Sequence, residues 1–447
     1  MTDILQLASL MPVAVHEQDG AYLIEAEGCH KPTRCAACQG TNLHGHGTQQ
    51  QTFHDTPMHG LPTRIAVKRR RYRCQSCRKT QFDPIADLDS KRLATTRLIA
   101  YLRHHCFRET FATLARRVRM DEKTIRHVFD DYVAELESRI RFRTPRVLGI
   151  DELKIIGTYR AMITNVEHKT LFDMRKSRRK ADLLDYFKDL PDKNQVEWVT
   201  MDMYHVYRQV IQETLPDARI VVDRFHIQRM GNEVLETMRK RCRASLPKKE
   251  RLKLKDERFL LLKRQQDLSA QQMDRLLAWF QRFPELGEAH ALKEGFFSLW
   301  DHPDRAAAEA AWQRWLNNLA PELEPAFKPL VRAMSNWHEE IFAYFENPIT
   351  NAYTESVNNL AKGMNRMGRG YSFEVIRARM LYDGKSRKDG AARENVVVDD
   401  QNFKPTTAFL ERSTTMARRT KKVQRVVEYG PYLPTLARLL NEGYFDD

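Results

Sequence analysis

Acidic residues stand at the ends of two apolar segments that have the composition of buried strands. Asp151 follows RVLGI and Asp202 follows VEWVTM, while Glu355 lies later, inside the helix-like segment TNAYTESVNNLAK. A carboxylate that ends a hydrophobic strand loses hydration, and a shared cation offsets that loss. Hard oxygen ligands select Mg²⁺, and two such ions on three carboxylates can catalyse phosphoryl transfer without a nucleophilic side chain. The acids therefore predict a metal-dependent phosphoryl-transfer site.

Position alone leaves the assignment of these acids ambiguous. Any one of them is more often a loop or cap residue than a ligand, Glu152 directly follows Asp151, and Asp223 ends a further apolar strand. The order of the segments narrows the choice. Three strand-like segments predict an antiparallel meander, and the α-β-α-β alternation that follows them requires crossover connections before a late helix. This order predicts an RNase H-like mixed sheet whose metal ligands are Asp151, Asp202 and Glu355.

Four cysteines form two C-x-x-C pairs, Cys35 with Cys38 and Cys74 with Cys77. Four thiolates in two such knuckles suit tetrahedral Zn²⁺, and a closed four-cysteine site is structural because it leaves no position for a substrate. The alternative is a chance pairing of reduced thiols. The remaining cysteines are scattered and the total of seven is odd, so a disulfide framework is not predicted.

Basic residues next to the second cysteine pair are candidates for phosphate contacts. The run Arg69-Arg70-Arg71 lies in the strand-like segment TRIAVKRRRYRC. An ordinary solvated strand face is the alternative interpretation of this run.

A second candidate for DNA recognition follows the cysteine-rich region. FATLARRV, the break RMDE and KTIRHVFDDYVAELESRI predict two helices joined by a tight turn, the outline of a helix-turn-helix. Lys123, Thr124, Arg126 and His127 fall in the first turns of the second helix, where a recognition helix enters the major groove. An ordinary surface helix would carry similar residues.

The pattern along the whole chain predicts a multidomain α/β protein with a zinc ribbon, a helix-turn-helix and an RNase H-like catalytic domain interrupted by an all-helical insertion. The insertion carries tryptophans on helical spacings, which are more often core than a surface for stacking bases. The predicted parts are a zinc ribbon at 1–90, the helix-turn-helix at 91–143, the catalytic domain at 144–226 and 346–390, the insertion at 227–345 and a basic helical tail at 391–447.

The charge balance favours a polyanionic partner. Among the 447 residues, 74 Lys and Arg outnumber 59 Asp and Glu, which gives a formal net charge of +15. The N-terminus lacks the pattern of a signal peptide, and no apolar stretch reaches the length of a membrane span. We therefore expect a protein of a reducing cytoplasm, with nucleic acid rather than a membrane as its partner.

Four motifs together resemble the ISL3 family of bacterial insertion-sequence transposases. They are GIDE at 149–152, VTMDMY at 199–204, DRFH at 223–226 and NAYTESVNN at 351–359. The resemblance extends over almost the whole chain and implies a cut-and-paste transposase with Asp151, Asp202 and Glu355 as its catalytic DDE triad. It also implies Mg²⁺ or Mn²⁺ at that triad and structural Zn²⁺ in the ribbon.

DRFH also resembles the D-x-x-H signature of the hAT and Mutator groups, in which the histidine lies near the scissile phosphate. His226 is therefore a candidate for contact with a phosphate or a flanking base, and a locally capped helix residue is the alternative. Arg366 and Arg369 follow the last motif and are candidates for lining a DNA channel or for a solvated surface.

A transposase must bring two transposon ends to one target DNA, so at least a homodimer is expected. The alternative functions are a DNA-binding regulator derived from a transposase and an RNase H-like nuclease that cuts without joining. Metal-dependent cleavage and joining of an end-bearing duplex distinguish the three.

Overall fold

The N-terminal part of the computed structural model is a seven-stranded sheet, and the structure describes residues 5–89, 91–368, 370–383 and 396–398 of the chain. Its strands are β1 (Leu10–Gln18), β2 (Ala21–Gly28), β3 (Leu43–Met58), β4 (Leu61–Cys74), β5 (Thr80–Phe82), β6 (Leu88–Asp89) and β7 (Ala94–Thr95). The long hairpin β3-β4 is antiparallel, and β2 joins β4 in parallel. The four cysteines lie at the far end of this hairpin.

This sheet has an apolar core of its own, which includes Leu10, Ile24, Phe53, Ile65 and Val67. The cysteines are therefore not the sole support of this unit. The second half of β3 and the first half of β4 bury apolar side chains independently of the cysteines.

Three helices follow the sheet, α1 (Thr96–His105), α2 (Phe111–Val118) and α3 (Glu122–Arg139). Arg119 ends α2 in the left-handed conformation with φ 50°, which turns the chain sharply into α3. The predicted pair of helices is therefore present, with a connection of only residues 119–121.

The central sheet is mixed and is covered by helices. Its five strands are β9 (Val147–Ile155), β10 (Thr158–Asn165), β11 (Thr170–Arg175), β12 (Trp198–Met201) and β13 (Arg219–Val222). The short strand β8 (Ile140–Phe142) precedes them, and the helices α4 (Lys180–Lys188) and α5 (His205–Thr214) connect the last three. The strand order is β11-β10-β9-β12-β13, with the first three antiparallel and β12 and β13 parallel to β9. The antiparallel meander and the crossover strands predicted from the sequence are both found.

Within the described residues from 224 to 342, only helices and short 3-10 turns occur. The helices are α6 (Arg224–Ala244), α7 (Lys248–Asp256), α8 (Arg258–Leu262), α9 (Ala270–Arg282), α10 (Pro284–Phe297), α11 (Arg305–Asn317), α12 (Glu324–Asn336) and α13 (His338–Phe342). Trp312 and Trp315 stack in their core with ring centroids 4.9 Å apart. The core interpretation of these two tryptophans is confirmed by their burial.

The chain then returns to the sheet through α14 (Ala352–Met367) and α15 (Phe373–Tyr382), and a last described strand is β14 (Val396–Val398). The helical tail predicted at 391–447 lies outside the described residues apart from β14. Within the described part of the chain, no helix combines the length and apolar composition that a membrane crossing requires.

One hydrophobic core joins α1, α2 and α3 to a face of the central sheet. Phe111 and Phe129 from the helix pair share it with Met162 from β10 and with Val357 and Ile376 from the two returning helices. Arg379 reinforces this joint, because its buried guanidinium donates to the carbonyl of Glu109 at 2.6 Å. The helix pair is thus packed firmly on the sheet that carries the acids.

Candidate functional site

The two aspartates meet at the carboxyl edge of the central sheet. Strands β9 and β12 are parallel neighbours, with Met201 in register with Ile150. Asp202 directly follows the end of β12, as predicted, whereas Asp151 lies within β9, which continues to Ile155 because it stays paired with β10. The register still brings Asp151 and Asp202 together. The parallel pairing converts two positions 51 residues apart in the sequence into one acidic pair.

His226 connects this pair to the first helix of the insertion. Its Nε2 lies 2.8 Å from Oδ2 of Asp202, and its Nδ1 lies 3.9 Å from Oδ2 of Asp223. Asp223 is also the N-cap of α6, where its side chain accepts from the Phe225 amide. His226 lies in the capped first turn of α6, and its contact with Asp202 adds a role that the sequence did not predict. Its contact with a phosphate or a flanking base stays a prediction.

The electrostatics of the aspartate pair reflect a buried acid, Asp151, next to a half-buried one, Asp202. Burial and then the neighbouring Asp202 charge raise the pKa of Asp151 to about 8. Burial alone would lower the pKa of His226, but the hydrogen bond with Asp202 and the nearby Asp223 carboxylate raise that pKa to about 9. His226 therefore supplies positive charge beside Asp202 at neutral pH.

A seam of polar contacts fixes α14 on the strand that carries Asp151. Asn351 donates from Nδ2 to the carbonyl of Ile150 at 3.1 Å, and Thr354 pairs with Thr164 of β10 at 2.6 Å. Asn358 donates from Nδ2 to Oδ2 of Asp151 at 2.6 Å. Asn351 is the N-cap of α14, and it lies three positions before Thr354, which lies four before Asn358. The three residues are buried on one face of the helix and its cap.

Glu355 lies on the same helix, one residue after Thr354, and its side chain is exposed. Its charge is one of the influences that raise the pKa of Asp151, which places it near the aspartate pair. In the described residues the three carboxylates do not form a group with all ligand atoms within 4.8 Å, whereas the four cysteines do. Mutual repulsion opposes a closer approach of three negative charges.

Gly149 permits the close contact between α14 and β9. A Cβ at this position would lie 2.6 Å from the Oγ1 atoms of Thr164 and Thr354 and 2.7 Å from Oδ1 of Asn351. We predict that Gly149→Ala lowers the free energy of unfolding by about 1–3 kcal/mol, because buried groups must move apart. Chemical denaturation measures this change.

Gly363→Ala is the matched control. Gly363 lies on α14, the helix that packs against Gly149, and a Cβ at position 363 meets nothing within 4 Å. It should leave stability unchanged or raise it by up to about 1 kcal/mol, the difference in helix propensity. Equal stability of the two variants would contradict the tight seam.

The four cysteines form a second centre, remote in sequence from the acids. Sγ of Cys35 lies 3.6 Å from that of Cys77, and Sγ of Cys38 lies 3.6 Å from that of Cys74. All four sulfurs lie within 4.8 Å of one another. This is the ligand set of a structural zinc site.

The two knuckles have matching backbone geometry. The Gln39 amide donates to the Cys35 carbonyl and the Arg78 amide to the Cys74 carbonyl, and both donors have positive φ, 61° and 63°. Backbone amides of the second knuckle, first that of Cys77, lower the pKa of Cys74 to about 6. Such amides stabilise a thiolate, the form that binds zinc.

The basic run on β4 is less available for DNA than the sequence suggested. Arg69 is buried, its Nε donates to Asp83 at 2.6 Å, and its guanidinium lies 5.1 Å from the Phe82 ring. The Arg69 guanidinium therefore holds Asp83 within the sheet and is not exposed for contact with a phosphate. Arg70 pairs with Glu27 at 3.0 Å, and Arg71 is half-buried.

The candidates on α3 divide into two groups. Lys123 and His127 are exposed, and Thr124 is half-buried beside them in the first two turns. Arg126 is partly engaged within the helix pair, because its guanidinium lies 5.4 Å from the Phe111 ring and 3.6 Å from Glu122. Of these four residues, Lys123 and His127 therefore have the side chains most accessible to a DNA ligand.

Arg366 is exposed near the end of α14, and Arg369 lies outside the described residues. The sequence did not reveal the partners of the α14 side chains. Asn358 lies three residues after Glu355, yet its side chain donates to Asp151. Gly149 and Asn351 both lie within the quoted motifs, so the motifs signalled the positions although not their roles.

The two parts of the chain that contain the cysteines and the acids each match a known protein family. Residues 31–77 match the zinc finger of transposases IS204, IS1001, IS1096 and IS1165, and residues 148–380, more than half of the chain, match the ISL3 transposase domain. A zinc ribbon and a transposase domain in one chain define the class as an insertion-sequence transposase. The chain belongs to the ISL3 family of transposases.

Curated relatives agree with this assignment. The chain is 23% identical over 376 residues to the transposase for insertion sequence element IS1001 of Bordetella parapertussis, covering 80% of this chain and 91% of that relative. It is 25% identical over 316 residues to the transposase for insertion sequence element IS1557 of Mycobacterium tuberculosis, covering 61% and 71%.

Proposed function

We propose that this chain binds the terminal inverted repeats of its insertion sequence and catalyses metal-dependent end cleavage and strand transfer through an RNase H-like domain. The observation that carries the proposal is the meeting of Asp151 and Asp202 at one sheet edge, beneath the helix of Glu355. We assign these three acids as the catalytic metal ligands.

The chemistry of the donors fits Mg²⁺ or Mn²⁺. Oδ1 of Asp202 is buried and has no hydrogen-bond partner among the described residues, so it is available to a ligand. The pKa of Asp151 is raised by burial and by a second acid, and a cation would offset this repulsion. A metal ion held there by Asp151, Asp202 and Glu355 would polarise a phosphoryl oxygen and stabilise developing negative charge.

The reaction needs no covalent protein intermediate. Water attacks the phosphorus at the transposon end, the bond from phosphorus to the 3′ oxygen breaks, and the leaving oxygen is protonated to a 3′-hydroxyl. That hydroxyl then attacks a target phosphodiester and displaces a second 3′-hydroxyl. Asn358 keeps Asp151 in place through both steps, and His226 holds Asp202 and presents a positive charge to the phosphate.

Recognition of the ends is assigned to the zinc ribbon and to α3 acting as the second helix of a helix-turn-helix. Lys123 and His127 would reach the DNA, supported by Thr124 and Arg126, and Arg70, Arg71 and Arg366 are further candidates for phosphate contacts. Because α3 shares a core with the central sheet, binding through α3 would place DNA at a fixed distance from the acids.

We further propose that at least two protomers act on paired ends, since both ends must join one target. Multi-angle light scattering of the protein with end duplex gives the mass of the complex. A one-protomer complex that completes joining would refute this part.

The test of the function is to incubate the full chain with a duplex bearing its own element's ends, a target plasmid and Mg²⁺, and then map the cuts. We expect nicks at the element boundary followed by joined products, both abolished by EDTA. Binding without cleavage would favour the regulator, and cleavage without joining would favour the nuclease.

A further inference from the structure

We propose that Tyr159, Arg178 and Tyr204 form a stacking platform for an unpaired nucleotide beside the reacting phosphate. This inference rests on the function proposed above. The Arg178 guanidinium carbon lies 4.1 Å from the ring centroid of Tyr159 and 4.9 Å from that of Tyr204. Arg178 thus connects one ring on β10 with another just after β12.

The platform is tied to both predicted catalytic aspartates. Arg178 forms an ion pair with Glu152, the residue after Asp151. Tyr204 lies two residues after Asp202 and packs edge-on against Tyr207 with centroids 5.0 Å apart. The Tyr207 hydroxyl lies 3.5 Å from the Asp151 carbonyl, which it faces as a donor, so Tyr207 connects the platform to the strand of Asp151.

The outer part of the platform faces solvent. Tyr159 is 42% exposed, and Ile156 at the tip of the β9-β10 hairpin is 39% exposed. Lys154, opposite Tyr159 on the neighbouring strand, is exposed and places its Nζ 5.3 Å from the Tyr159 ring. Aromatic surface and a cation that has no ion pair among the described residues therefore occur together on the β9-β10 hairpin, three positions along β9 from Asp151.

This combination suits a nucleotide. A base stacks on an aromatic ring or a guanidinium plane whatever its sequence, and an ammonium group attracts the neighbouring phosphate. A base in an intact duplex has both faces covered by its neighbours, so the occupant must be unpaired. Opening of the duplex at the cleavage point would supply such a base next to the scissile phosphate.

The experiment places 5-iodouracil, one position at a time, on either side of the cleavage point of the end duplex and irradiates its complex with the full chain. We expect a crosslink to Tyr159, recovered in the tryptic peptide of residues 155–160, and its loss in Tyr159→Ala. Crosslinks confined to other aromatic side chains, such as the exposed Phe225, would overturn the platform.

Kinetics provide the second measurement. Tyr159→Ala should slow cleavage at saturating DNA by about tenfold, the usual effect of removing one stacked base contact. Its affinity for the end should change less than twofold, because the ribbon and α3 dominate binding. Tyr159→Phe keeps the ring and should lose much less activity.

Phe259→Ala is the matched control, since Phe259 is 75% exposed on α8 of the helical insertion. Cleavage by Tyr159→Ala at the rate of this control would refute the proposal. Wild-type protein that neither binds nor cuts its end would refute the proposed function as well, whereas normal wild-type cleavage with an unaffected Tyr159→Ala refutes the platform alone.

Discussion

Replacement of Asp202 by asparagine is expected to reduce cleavage of an end-bearing duplex at least about a thousandfold while leaving end binding intact. A metal ion supplies several kcal/mol of stabilisation to the transition state, and each 1.36 kcal/mol corresponds to a factor of ten in rate. The same loss is expected for Asp151→Asn and Glu355→Gln. Single-turnover nicking rates measure the loss, and fluorescence anisotropy with a labelled end measures binding.

These substitutions preserve shape, so the loss should be separable from misfolding. Asparagine at 151 retains an oxygen that accepts from Asn358, which preserves the seam beneath α14. Glu374→Gln is the matched control for Glu355→Gln, because Glu374 also lies in the first turn of a helix, α15, and is exposed. Full activity in any of the three variants would remove that acid from the metal site.

Loss of zinc is expected to unfold the knuckle end of the ribbon and to weaken end binding without changing the chemistry directly. Structural zinc contributes about 10 kcal/mol or more of apparent binding free energy, which becomes folding free energy for the segment it holds. Because β3 and β4 carry a separate apolar core, we expect local opening around residues 31–45 and 74–80 and not collapse of the sheet.

Metal analysis of the full chain purified without chelator should give one zinc, and Cys74→Ser should lose it. Hydrogen exchange should then accelerate in both knuckles while Phe53 and Ile65 remain protected. Cys29→Ser is the control, because Cys29 is exposed and outside the cluster. Absence of zinc from the wild-type chain, or unchanged exchange in Cys74→Ser, would contradict a structural metal.

The packing of the helix pair on the central sheet makes an N-terminal truncation unsuitable as a test of DNA binding. Removal of the first 143 residues would delete Phe111 and Phe129 from a core that also contains Met162 and Ile376. The truncated protein would expose a large apolar face of the central sheet, so loss of its activity would not reveal a role in DNA binding. Point variants at exposed α3 residues such as Lys123 avoid this problem.

Local periodicity predicted most elements of the fold. The apolar composition of VEWVTM and the helical spacing in FATLARRV depend only on neighbouring residues. The predicted strand forms over Trp198–Met201, and the predicted helix forms over Phe111–Val118. The cysteine pairs were equally informative, because zinc ligation constrains spacing within each knuckle. The separate core beneath the ribbon was missed, since its strands meet through pairings that the sequence does not reveal.

The sequence by itself therefore determined the ribbon, the mixed sheet, the helical insertion and which acids are candidates for chemistry. Only the tertiary structure decided that Asn358 contacts Asp151, 207 positions away, and that Gly149 lies directly beneath α14. The tertiary structure also decided that Arg69 is buried in an ion pair with Asp83. The physical reason is that the identity and spacing of residues govern local backbone geometry and metal ligation, whereas a side chain's partner depends on how distant elements pack.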